Sequence, residues 1–274
     1  MVLFISAMVL FSSQTLTPAL AMALHALAAF VAFVVGAVLL LRALPNPVRA
    51  ATPTYNTRVW LASALPLSFI AGMQIINNQT DIVMLGLFTT AEDVGVYRIA
   101  AHGAHLVAFT LGAINMVISP HIARLYKAGD HERLQHMLTW SARLILASAL
   151  PVALAFTLFG EQILGFLFGS EFTGGYWALV ILCAGQLINA AMGSVAFILN
   201  MTGHERDSAW GISAAAGVNV LLNLALIPSF GIEGAATATA ASLAIWNIIL
   251  ARRVFQRTGL VSTAIGRVSR EKPA

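Results

Sequence analysis

Between residues 19 and 251 the chain runs through seven long apolar stretches, at about 19–41, 59–88, 94–119, 137–168, 176–201, 208–228 and 234–251. Each is close to or above the roughly 20 residues that a helix needs to cross a bilayer. No other feature narrows the fold as much. Inside lipid every backbone N–H and C=O must be bonded within its own segment, so such stretches form helices. The fold class is an all-α polytopic membrane protein with about seven transmembrane helices. Composition agrees: 59% of residues are hydrophobic and 9% charged, with mean hydropathy +0.84. A soluble domain carries about 25% charged residues. The net charge of +4 is therefore no sign of a nucleic-acid partner, because placement of charge matters more than its sum here.

The connections are short and rich in turn residues: "LPNPVRAATPTYN", "TTAEDVG", "PHIARLYKAGDHER", "GSEFTGG", "TGHERD" and "PSFGIEG". Pro66 and Pro151 fall inside spans, where neighbouring helices can satisfy the freed backbone groups. Alternate connections carry opposite charge. Linkers 42–58, 120–136 and 202–207, with the tail from 252 and the snorkelling Arg143, hold 14 of the 15 basic residues. The other side holds Glu92, Asp93, Glu161, Glu171 and Glu233 and no Lys or Arg. The positive-inside rule makes the basic side cytoplasmic, the C-terminus included.

The N-terminal "MVLFISAMVLFSSQTLTP" lacks the basic n-region of a signal peptide. Its apolar run is too short to span, so it reads as the end of a helix whose beginning is missing. Residues 1–42 thus read as the remnant of a first helical bundle. Residues 43–58 form a Pro-containing basic linker, 59–257 a six-helix bundle, and 258–274 a basic cytoplasmic tail. Cys183 is the single cysteine, so no intramolecular disulfide forms. It reads as a small buried hydrophobe. Metal-binding Cys/His spacings are absent, and no catalytic or nucleotide-binding signature stands out, so an enzyme is not expected.

Ionisable groups within a membrane are costly and point to function. On the second span Gln74, Asn77 or Asn78, and Asp81 share one helix face. On the third, Arg98, His102 and His105 do the same. A hairpin turning near residues 91–92 sets Asp81 at the depth of His102, with Arg98 one turn away. An Asp–Arg or Asp–His pair locking the helices is one reading; a transport role is the other, and they are compatible. On the last two spans Asn219 and Asn223 stand at i, i+4, with Thr237, Thr239 and Ser242 opposite. Helix–helix hydrogen bonding accounts for these on spacing alone. The stretch "PHIARLYKAGDHERLQHML" reads as an interfacial connector lying on anionic membrane lipid, and His121, His131 and His136 lack metal spacing.

The series "NNQTDIVMLGLFTTAEDVGVYRIAA", "ISPHIARLYKAGD", "FGSEFTGGYWALVILCAGQLINAAMGSVAFILNMTGHER" and "NVLLNLALIPSFGIEGAATATAAS" resembles the C-terminal half of a bacterial polysaccharide flippase. That family belongs to the multidrug/oligosaccharidyl-lipid/polysaccharide (MOP) exporter superfamily. The resemblance covers about residues 59–255 and the helix before them. It implies two six-helix bundles around a cavity, the first mostly missing here. It also implies flipping of a lipid-diphosphate-linked oligosaccharide across the bacterial inner membrane for O-antigen, exopolysaccharide or capsule assembly. Polysaccharide polymerase and glycosyltransferases would be partners. Arg98, His102 and His105, with Gln74, Asn77 and Asn78, become substrate-cavity candidates, the cations countering a diphosphate. Asp81, Asn219, Asn223 and Thr239 become candidates for Na⁺ or H⁺ coupling, without any other cofactor. Asn223 stands where a second carboxylate would strengthen a cation site, and His102 near Asp81 keeps proton coupling open. The alternatives of the same fold are a peptidoglycan-precursor flippase and a multidrug exporter. The alternative of another class is a non-transporting membrane remnant.

Overall fold

A computed structural model describes residues 18–43 and 56–266, and all regular structure among them is helical. The chain divides between Leu61 and Ala62 into two units. In the first, α1 (Pro18–Ala43) is uniformly apolar and ends on Arg42. Helix α2 (Thr57–Phe88) begins in the first unit and continues into the second.

The second unit is a helical bundle whose element boundaries follow local chemistry. Thr90 caps α3 (Ala91–Val107) through a capping box with Asp93. The Thr90 hydroxyl accepts from the Asp93 N–H and the Asp93 carboxylate from the Thr90 N–H, which satisfies two orphan donors of a first turn. Helix α4 (Phe109–Lys127) follows directly after a bend of 45° at Ala108. Asp130 then caps α5 (His131–Phe168), accepting from the Arg133 N–H at 3.2 Å. A 3₁₀ turn (Ser170–Gly175) leads to α6 (Tyr176–Met192) and the short α7 (Val195–Met201).

The last element, α8 (Glu205–Thr258), is a hairpin rather than one rod. Gly231, at φ 53° and ψ −128°, breaks it into limbs 205–230 and 232–258. Asp207 pairs with Arg257, Gly211 packs on Leu250, and Asn219 reaches Ser242. Those pairs step inward toward Gly231, as antiparallel limbs require. A residue with a Cβ adopts that positive φ only at a cost, so glycine permits the turn.

Among the described residues four helices are long and apolar enough to cross a membrane, five if α3 and α4 count together across their bend. One of these is the hairpin, which supplies two crossings. The remaining expected span falls on α2, whose described apolar part is the short Gln79–Phe88. Two expected spans are therefore not single straight helices. The 94–119 stretch bends at Ala108, and the 176–201 stretch breaks at Gly193, where φ is 72°.

Two apolar clusters hold this unit together. One joins Leu85, Tyr97, Ala100, Ile145, Leu179 and Ile227; the other joins Ile122, Leu134, Leu138, Ile198, Leu250 and Val254. Fully buried alanines at 178, 190, 235, 236 and 238 let the helices approach closely. Close packing of small residues drives helix association in lipid, which offers no hydrophobic contrast. Glu92, Asp93, Glu171 and Glu233 line one crevice, which marks an acidic end of the bundle. The opposite end is basic: Arg253 and Arg257 close on Asp207. Residues 259–266, within the stretch read from sequence as a basic tail, pack against α5 and the α6–α7 junction.

Candidate functional site

Asp81 lies within α2, buried to 6% exposure, at a point where α2, α3 and both limbs of α8 supply polar groups. A buried carboxylate is tolerated only when its oxygens are well satisfied. Here three donors serve it. The Tyr97 hydroxyl of α3 donates to Oδ2 at 2.9 Å. The Thr239 hydroxyl from the second limb of α8 donates to the same oxygen. The Asn223 side-chain amide, on the first limb, donates to Oδ1 at 2.8 Å.

The network extends beyond these contacts. The Asn223 amide also donates to Asn219 Oδ1 at 3.0 Å, and the Asn219 amide points toward the Thr239 and Ser242 hydroxyls at 3.4 Å each. The i, i+4 spacing of Asn219 and Asn223 puts both on one face of their limb, and Thr239 and Ser242 at i, i+3 answer from the other. Asn223 spends its N–H groups on two oxygens. Flipping its amide would set a carbonyl against the carboxylate, so its orientation is fixed by the network. Its own carbonyl oxygen is fully buried and meets no donor among the described residues.

Beside this network lies a cavity of ≈ 100 Å³, walled by Asp81, Tyr97, His105, Gln186, Asn219 and Thr239 among others. Among the described residues no Lys or Arg lines it, and Asp81, Tyr97 and His105 are its ionisable groups. Sites for small organic ligands run to about 300–1,000 Å³. One of ≈ 100 Å³ suits a few waters or a single small cation. Its lining offers oxygen donors, from the Asp81 carboxylate, the Gln186 and Asn219 amides and the Tyr97, Thr239 and Ser242 hydroxyls, beside the His105 ring nitrogens. Such oxygens fit Na⁺, and once Asp81 takes up a proton the two hydroxyls on Oδ2 can turn to accept a hydrogen bond from it.

The structure thus brings Asp81, Asn219, Asn223 and Thr239 into one bonded group. It does not pair Asp81 with Arg98 or His102, as the sequence suggested. Both of those side chains are exposed and stand outside the cavity. Successive helix residues are about 100° apart, so presenting Tyr97 to Asp81 turns Arg98 away. His105 does line the cavity, at the border of that face. The side chains of Gln74, Asn77 and Asn78 lie outside the described residues. Sequence reasoning missed Tyr97, Gln186 and Trp246. Its one signal for Tyr97 was a hydroxyl in an apolar helix, which needs a partner once buried.

Comparison with known proteins agrees with this architecture. Residues 2–176 match the family model described as "Polysaccharide biosynthesis protein". The chain is 26% identical over 169 residues to the probable low-salt glycan biosynthesis flippase Agl15 of Haloferax volcanii, covering 62% of this chain and 36% of that protein. It is 28% identical over 188 residues to the probable multidrug resistance protein NorM of Bradyrhizobium diazoefficiens, covering 65% and 40%. The chain spans between 33% and 40% of the length of the curated relatives it matches. A multidrug resistance MATE family transporter of the MOP superfamily, solved facing outward, superposes with TM-score 0.61 at 22% identity, over 76% of this chain and 47% of its own. The chain is a multi-pass membrane protein that belongs to the polysaccharide biosynthesis protein family, with the helical fold of MOP-superfamily transporters.

Proposed function

We propose that this bundle is part of a flippase that moves a lipid-diphosphate-linked oligosaccharide across the bacterial cytoplasmic membrane by alternating access, for surface polysaccharide assembly. Asp81 serves as its ion-coupling carboxylate. The observation carrying this reading is the buried Asp81, met by Tyr97, Asn223 and Thr239 from three helical segments and, among the described residues, by no cation. A carboxylate held this way responds to Na⁺ or H⁺ and passes the change to every segment bonded to it. The cavity beside it is too small for a sugar and so serves the ion. Substrate would meet other surfaces, among them the face carrying Arg98 and His102. Agl15, a glycan flippase by name, supports the substrate class. The likeness to NorM supports a second reading, a multidrug exporter.

The test places Asp81→Asn at the equivalent position of a full-length relative, in a strain lacking its own flippase. Surface glycan should fall at least tenfold at unchanged protein level. Full surface glycan would refute the coupling role. Unchanged glycan with lost drug tolerance would favour the exporter.

A further inference from the structure

The last described residues form a seated strap, and nothing in the proposed transport role uses it. Gln135 of α5 reads the strap's backbone on both sides: its Nε2 donates to Val261 O at 2.7 Å, and its Oε1 accepts from Val261 N at 2.8 Å. One turn on, Thr139 accepts from the same Nε2 at 3.0 Å. Two turns from Gln135, Arg143 donates from Nε to Ala264 O at 3.1 Å and from Nη2 to Gly266 O at 3.3 Å. The spacing 135, 139, 143 makes one helix face a receptor for an extended backbone.

On its other side the strap meets the break between α6 and α7. Ala264 N donates to Ala191 O at 2.9 Å, satisfying one of the carbonyls that the end of α6 leaves free. Gly193, the residue that breaks the helix, lies against the strap so closely that a Cβ there would come 2.5 Å from Ser262 O. Ser262 is 3% exposed, and Leu260, 4% exposed, lies within the cluster of Leu134, Leu138, Ile198, Leu250 and Val254. Eight residues thus bind α5, the α6–α7 junction and the apolar cluster between them.

We propose that residues 259–266 are a conformational latch on the Gly193 hinge. Seated, the strap fixes α7 at its angle to α6 and keeps the apolar cluster at the basic end closed. Unseated, the hinge is released, and α7 with its Ile198 and Leu199 moves independently of α6. The contacts are with backbone, so the latch reads the strap's path more than its side chains. Its release requires breaking the Gln135 and Arg143 contacts together.

Hydrogen exchange on the whole chain in nanodiscs tests this. The double variant Gln135→Met with Arg143→Met removes four strap hydrogen bonds while keeping long apolar stems. Exchange of the 193–199 amides should rise at least about tenfold, since each bond is worth a few-fold in the opening equilibrium. Amides at 97–104 and 215–223 should be unchanged. Freed exchange at 259–266 with unchanged exchange at 193–199 would overturn the proposal, because the strap would then be a passive tail. If the double variant exchanges everywhere, Ala264→Pro decides, for it removes the strap's donor to Ala191 O while leaving Gln135 and Arg143 in place. A rise confined to 193–199 in that variant supports the latch, and no rise there overturns it.

Discussion

Replacing Tyr97 by Phe isolates one hydrogen bond of the buried network. The ring is 2% exposed and its packing is retained, so the loss is the hydroxyl's bond to Asp81 Oδ2. Hydrogen bonds to charged groups are worth about 1.5–3 kcal/mol in soluble proteins. Interhelical ones in membranes average about 0.6 and reach about 1.7 kcal/mol. A bond to a buried carboxylate belongs at the upper end of the membrane range, so Tyr97→Phe should cost about 1.5 kcal/mol. In an Asp81→Asn background the new amide has one place for its nitrogen. At the Oδ1 position it would face the Asn223 donor, so it takes the Oδ2 position, where hydroxyls can rotate to accept. Tyr97 then no longer donates to a charge, and its removal should cost only about 0.5 kcal/mol. Equilibrium unfolding in mixed micelles, run as a double-mutant cycle, should give a coupling near 1 kcal/mol. Equal costs in the two backgrounds, within about 0.3 kcal/mol, would show that Tyr97 and Asp81 are not joined in the membrane.

Asp207 gives a pH prediction outside the membrane. The hydrogen bond from Arg257, 2.8 Å away, and the Arg257 and Arg253 charges hold its carboxyl below the usual value. A carboxyl depressed in the folded state stabilises above its unfolded value of about 3.9, and that stabilisation fades as pH falls toward the folded value. Asp207→Asn should therefore lower Tm slightly at pH 7 and by progressively less as pH falls below about 3.9; a difference that does not shrink with falling pH would refute it. Gly234→Ala tests the hairpin turn, since a Cβ there would meet Leu226 O at 2.5 Å. It should destabilise by about 1–3 kcal/mol through forced backbone movement, measured by the same unfolding assay, and a neutral result would mean the turn has another shape.

Sequence periodicity alone placed Asp81 on a polar helix face, and charge alternation separated the bundle's two ends before any coordinates. Asn219, Asn223 and Thr239 were legible as polar intrusions into apolar helices. Tyr97 was not, because tyrosine is unremarkable in such a helix until its hydroxyl is seen to reach a carboxylate. Arg98 and His102 were legible as costly charges but were assigned the wrong neighbour. The rotation of α3 about its axis is set by packing around Ala100 and Ala104, not by the Arg98 side chain. The Gly193 break and the strap at 259–266 were equally hidden, since both rest on contacts between residues far apart in sequence, such as Gln135 with Val261 and Gly193 with Ser262.

The sequence by itself determined that this chain forms membrane helices, because lipid leaves an apolar backbone no other way to satisfy its hydrogen bonds. It also determined which end is basic, because charge cannot easily cross that lipid. Only the tertiary structure decided what meets Asp81. Helices are free to rotate and slide until side chains interlock, and the deciding contacts here, Gly211 on Leu250 and Asn223 on Asp81, are made only once every helix is in place.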